Sequence, residues 1–217
     1  MIITKQKPFQ DILESLKGIN KVFLVGCGEC STTCKTGGVE ELKAAKLELE
    51  KNNKTVVGSC IPSAPCVAAQ IKTELAKNIK VLHEADAVLV FACGLGVQSV
   101  KENERSGKII LPALDTLFGG TVDAKGNFCE KCSMCGDCLL DLTAGICPVT
   151  LCPKGLLNGP CGGMDKGKCE VDKERDCAWV LIYKEMEKKK NLAGFRKILP
   201  PKDFKKTTKP HKLMLGA

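Results

Sequence analysis

The stretch FCEKCSMCGDCLL (128–140) sets four cysteines at a fixed step of three: Cys129, Cys132, Cys135 and Cys138. Thiolates at this spacing are ligands for soft metals, and a tight run supplies several of them from one loop. A bacterial ferredoxin motif opens with the same step, but its last cysteine follows three intervening residues and precedes a proline. Five more cysteines lie downstream: Cys147 in ICPVT, Cys152 in LCPKG, Cys161 in GPCGG, Cys169 in GKCE and Cys177 in DCAW. Residues 129–177 thus hold nine, enough for the eight ligands of two [4Fe–4S] clusters with one left over. Structural zinc sites more often use two separated CxxC pairs, whereas Cys132, Cys135 and Cys138 offer three ligands from one loop. Either Cys177 or Cys147 is expected to complete that triple. One zinc, one cluster and spare thiols is the simpler alternative. The glycines of NGPCGG would let backbone N–H groups approach a cluster closely, and the prolines after Cys147 and Cys152 stiffen their turns.

Six further cysteines precede this run, and each follows a β-branched, strand-like segment. Cys27, Cys30 and Cys34 come after KVFLVG, Cys60 and Cys66 after TVVG, and Cys93 after AVLVF. In an open parallel sheet the loops after the strands share one edge, where such folds bind ligands. One metal site built from Cys27, Cys30 or Cys34, Cys66 and Cys93 is the expectation. No histidine is near these positions, so an iron–sulfur cluster fits somewhat better than zinc, although both accept four thiolates. Gly26-Cys27-Gly28 has the start of a dinucleotide fingerprint, but Ser31 occupies the third glycine position and no acid ends the second strand. Nucleotide binding there is not expected.

The elements that must position these thiols fall into two patterns. Up to about residue 124, strands at 21–26, 55–58, 87–91 and 108–114 alternate with helical patterns at 37–52, 66–82 and from Gly96 onward. Such alternation predicts an α/β domain with a parallel sheet covered by helices. An amphipathic helix pattern (Phe9, Ile12, Leu13, Leu16) is read across the first eighteen residues, and Leu117–Asn127 reads as a linker. Residues 125–190 form the expected second domain, small, cysteine-rich and stapled by its metal, with one short helix in CAWVLIYKEMEKKK. Residues 191–217 are expected to be a basic, extended tail.

Composition narrows the classes. Fifteen cysteines in 217 residues would suit a secreted disulfide scaffold. The odd count, the absence of a leader-like apolar stretch and the CxxC grouping point instead to metal in a reducing cytoplasm. The longest apolar run, AVLVFACGLGV, is too short to span a bilayer, so no membrane insertion is expected. The net charge of +8 is local: Lys188–Ala217 carries ten Lys/Arg against Asp203, and the remainder is close to neutral. With one Trp and one Tyr, and no aromatic interleaving in the tail, nucleic acid is not an expected partner. Docking on an acidic protein partner and a plain solvated terminus are the two readings of the tail. His83 and His211 neighbour no nucleophile or paired carboxylate, so no catalytic residue is assigned.

The string GICPVTLCPKGLLNGPCGG, with GKCE and DCAW after it, resembles the C-terminal signature of the MetV-type partner subunits of methylenetetrahydrofolate reductase, found notably in acetogenic bacteria. VGCGECSTTCKTGG and FACGLGVQ are similar to the same family, so the resemblance spans residues 21–190. It implies an iron–sulfur subunit that exchanges electrons with the flavin of a catalytic subunit in one-carbon metabolism, served in turn by a further electron-donor protein. The family's Cys-x-x-Cys-Gly-x-Cys maps onto Cys132, Cys135 and Cys138, leaving Cys129 and Cys60 outside it. Zinc is also ascribed to this region of the family, so a structural zinc subunit of the same complex is the rival expectation. An electron-transfer subunit of another flavin enzyme, such as a heterodisulfide reductase assembly, is a third.

Overall fold

The computed structural model describes residues 1–214, so the last three residues of the expected tail lie outside it. Two compact units are present, Met1–Phe118 and a second from Gly119 onward, a division slightly ahead of the one expected near 124.

The first unit runs β1 (Ile2–Gln6), α1 (Phe9–Ser15), β2 (Lys21–Val25), α2 (Cys30–Thr33), α3 (Val39–Lys51), β3 (Thr55–Cys60), α4 (Ala68–Lys77), α5 (Ile79–Glu84), β4 (Ala87–Val90), α6 (Gly94–Asn103) and β5 (Ile109–Pro112). Its sheet has the order β3-β2-β4-β5 with every pair parallel. Successive strand residues point to opposite faces, so a sheet covered on both sides needs unbroken apolar runs. KVFLV and AVLV meet that need. Val22, Leu24 and Leu89 join Ile12, Leu16, Leu42 and Leu49 on one face. Phe23, Val25, Val88 and Val90 join Ile71, Leu75, Leu82 and Val100 on the other. The expected α/β parallel-sheet domain is the observed one.

Two local readings change. Residues 2–6 are a strand, and the helix starts only after Pro8, which cannot lie within a helix interior and fixes the first helical turn. The helix expected across 66–82 is two helices joined at Asn78, whose amide side chain donates to the Glu74 carbonyl at 2.9 Å and ends the first of them.

Strand β6 (Leu114–Val122) carries the chain into the second unit, where it pairs antiparallel with β7 (Phe128–Glu130). The expected linker is therefore mostly hairpin. Asp123 closes its turn, accepting from the backbone N–H groups of Lys125 and Asn127, each at 2.8 Å. Beyond it come α7 (Pro148–Leu151), α8 (Ala178–Lys188), α9 (Leu192–Phe195) and a 3₁₀ turn at Phe204–Thr207. The core of this unit is small: Cys177, Trp179, Ile182 and Met186 are buried together. Phe195 stands edge-on to Trp179 and Tyr183, with ring centroids 6.0 and 5.6 Å away. Among the described residues no helix is long and apolar enough to cross a membrane.

Candidate functional site

Strand order decides which N-terminal cysteines can meet. Strands β3, β2 and β4 are adjacent, and the loops that follow them carry Cys66, Cys27 with Cys30, and Cys93. The Cys66 thiol is raised above its ordinary value by burial first, then by the neighbouring Cys93, with smaller contributions from Cys27 and Cys30. Four sulfurs thus share one neighbourhood at the C-terminal edge of the sheet. Cys93 directly precedes α6 and Cys66 stands two residues ahead of α4, so two helix N-termini, which favour negative charge, face this region of the chain. Gly37 makes the close approach possible. Its carbonyl accepts from Cys27 N–H at 3.0 Å, and a Cβ at Gly37 would overlap the Phe91 carbonyl oxygen.

Cys30 and Cys34 separate here. The Ile2 N–H donates to Cys30 Sγ at 3.5 Å, whereas buried Cys34 directs its thiol to the Ile2 carbonyl oxygen at 3.9 Å. Cys60 is part of the sheet core, and burial, with Glu74 adding to it, pushes its thiol up to about 12. Such a thiol stays protonated and makes a poor ligand.

In the second unit two quartets stand out. Cys132, Cys135, Cys138 and Cys147 border one pocket of about 220 Å³, with Leu139, Leu140 and Val149 beside them. Of the two cysteines expected to complete the triple, it is Cys147, immediately ahead of α7, that lies with it. The loop folds tightly because Met134 and Gly136 take positive φ angles of 55° and 72°, and Met134 N–H donates to Cys132 Sγ at 3.3 Å. Cys152, Cys161, Cys169 and Cys177 border a second, narrower pocket of about 20 Å³, together with Leu156, Met164 and Trp179. Backbone bonds from Cys177 N–H to Gly167 O (2.8 Å) and from Cys169 N–H to Arg175 O (2.9 Å) hold that loop, and Lys154 pairs with Glu170 beside it. Cys129 lies on β7 opposite Thr121 and borders neither pocket.

Twelve of the fifteen cysteines therefore fall into three sets of four, with Cys34, Cys60 and Cys129 outside them. Among the described residues no group of three or more Cys, His, Asp or Glu side chains is arranged to hold a single metal ion. The donor chemistry is nevertheless uniform. Each set is sulfur only, which suits iron–sulfur clusters or zinc and is wrong for magnesium or calcium.

Cysteine electrostatics differ among the sets. Burial alone would raise Cys135, but a hydrogen bond from the Asp137 backbone and the nearby Lys202 ammonium outweigh it and hold the thiol below its usual value. Lys202 sits in the expected tail and belongs to no motif; its place beside Asp137, 65 residues earlier, is visible only in the fold.

The described residues thus comprise an α/β unit with one set of four cysteines and a thiol-rich unit with two more. Residues 111–205 match the family model described as "Methylene-tetrahydrofolate reductase C terminal", a stretch that includes every cysteine from Cys129 to Cys177. The match supports a relationship between this chain and methylenetetrahydrofolate reductase. Neither a curated protein nor a solved structure matches the chain.

Proposed function

We propose that the chain is the iron–sulfur electron-transfer subunit of a cytoplasmic methylenetetrahydrofolate reductase complex. The observation that carries this reading is the grouping of twelve thiols into three quartets, two of them inside the family-matched stretch. Cys132, Cys135, Cys138 and Cys147 would hold one [4Fe–4S] cluster, Cys152, Cys161, Cys169 and Cys177 a second, and Cys27, Cys30, Cys66 and Cys93 a third cluster or zinc. Such clusters move single electrons at potentials set by charge, hydrogen bonds to sulfur and exposure. The chain's own residues ligate, insulate and tune, while a flavin on a partner catalytic subunit converts single electrons to the pair that the folate substrate takes up. A separate donor protein would feed the relay.

A second reading has one observation behind it. The Cys152–Cys177 pocket is far narrower than its neighbour, about 20 against 220 Å³, and favours a single zinc there as a structural staple. Metal analysis with low-temperature EPR on anaerobically purified protein separates the two. Iron at eight or more per chain supports the full relay, and about four to eight iron with one zinc supports the mixed arrangement. Stoichiometric zinc without iron ends the electron-transfer proposal, because zinc has no second oxidation state to use.

A further inference from the structure

Lys202 is the anomaly of the basic segment. Its side chain is 4% exposed, whereas lysines in the other described ion pairs are 29–82% exposed. Withdrawing an ammonium from water costs several kcal/mol unless fixed anionic or polar partners replace the water. The partners on hand are few. Nζ donates to the Asp137 carbonyl oxygen at 2.6 Å and stands 3.8 Å from the Asp137 carboxylate. That carboxylate is already engaged by Lys206 Nζ at 2.9 Å. Asp203, the other acid of this segment, accepts from Lys205 N–H at 3.0 Å. Two ammonium groups thus share one carboxylate, and Lys202 Nζ and the Cys135 thiol meet at one Asp137 carbonyl oxygen, 2.6 and 3.7 Å from it.

The tail backbone makes the contact firm. A Cβ at Gly136 would approach the Lys206 carbonyl oxygen to 2.9 Å, so only glycine lets the segment lie this close to the cysteine loop. Asp137, between Cys135 and Cys138, is gripped by both lysines. Residues 202–206 are therefore a strap over the loop that carries three of the four thiols, not a free arm.

We propose that Lys202 is a positioning residue for the Cys132–Cys135–Cys138–Cys147 centre: its buried ammonium supplies the countercharge that the thiolate-bound centre lacks and raises that centre's reduction potential. A neighbouring positive charge stabilises the state with one more electron, so the more reduced form gains. The inference rests on the relay reading above. It assigns residues 202–206 of the basic segment to this chain's own cysteine loop, a third reading beside the two drawn from the sequence, an acidic partner and a solvated terminus.

The test uses the full chain, purified anaerobically, with iron content and the potential of each centre read by EPR-monitored titration. Lys202→Met should keep wild-type iron and move one centre to a more negative potential while the others hold theirs. Lys202→Arg should restore it. Asp137→Asn, which deletes the opposing carboxylate, should move the same centre the other way. Unchanged potentials in Lys202→Met at full iron would overturn the assignment, as would shifts of the same sign in Lys202→Met and Asp137→Asn, which a merely structural role predicts. Should Lys202→Met not fold, the absence of an upward shift in Asp137→Asn overturns it. The relay reading fails separately, through zinc without iron in the unsubstituted protein. Lys202 is then read from chelator extraction: faster loss of one zinc in Lys202→Met supports the countercharge, and an unchanged rate overturns it.

Discussion

In the unit Met1–Phe118 the thiols hang on loops that a four-stranded sheet holds in place from both faces. In the unit from Gly119 onward the balance differs, because among the described residues the buried apolar cluster is small: Cys177, Trp179, Ile182 and Met186. The same ligand chemistry thus has two relations to stability. In the first unit a well-covered sheet brings the cysteines together, and in the second irregular loops carry them with only a small apolar core. A small core with long irregular loops cannot offset chain entropy alone, and structural metal commonly supplies the difference.

Metal removal should break the symmetry most strongly. Anaerobic chelation should open the second unit to protease while a fragment close to residues 1–118 survives, and Trp179, the chain's single tryptophan, should report only the second event. Simultaneous loss of both units would sink the comparison. Next in size is a pair of substitutions. Cys169→Ser should remove one centre and loosen the second unit, whereas Cys66→Ser should remove the first-unit centre with the far-UV CD spectrum unchanged. Cys129→Ser and Cys60→Ala should leave metal content untouched; loss of iron in either would redraw the quartets.

Phe23→Ala sharpens the same contrast from the other side. Phe23 is fully buried in the sheet core, so its truncation should cost about 3–5 kcal/mol in denaturant unfolding followed by CD. The Trp179 fluorescence of the native protein should not move. The smallest effect expected is at Asp123. Hydrogen bonds from the Asn127 side chain and backbone, and from the Lys125 backbone, hold its carboxylate below the usual range. A depressed carboxylate contributes stability above its unfolded pKa, and that contribution fades as pH falls through the lower folded value. The protection factors of amides in β6 and β7, measured against intrinsic exchange at each pH, should therefore fall toward acid pH, and Asp123→Ala should show the lower protection already at neutral pH.

The sheet was readable because KVFLV and AVLV are apolar runs buried on both faces, and TVVG is a β-branched run on the edge strand beside them. The placement of Cys27, Cys66 and Cys93 followed, since parallel topology fixes where loops go. The β6–β7 hairpin was not readable: Gly119 and Gly120 sit inside β6, and paired glycines carry no side-chain pattern and read as a linker. The different surroundings of Cys30 and Cys34 were also hidden, because they depend on contacts with Ile2, 28 and 32 residues earlier. Likewise the tail's charge was plain in the sequence, but that Lys202 is buried against Asp137 depends on a fold with almost no periodic signal.

The strap also has a consequence in time. Asp137 leaves the ribosome 65 residues before Lys202, which at 5–20 residues per second is roughly 3–13 s of synthesis. Through that interval Asp137, inside the Cys132–Cys138 loop, stands without the Lys202 and Lys206 ammonium groups that share its carboxylate in the finished fold.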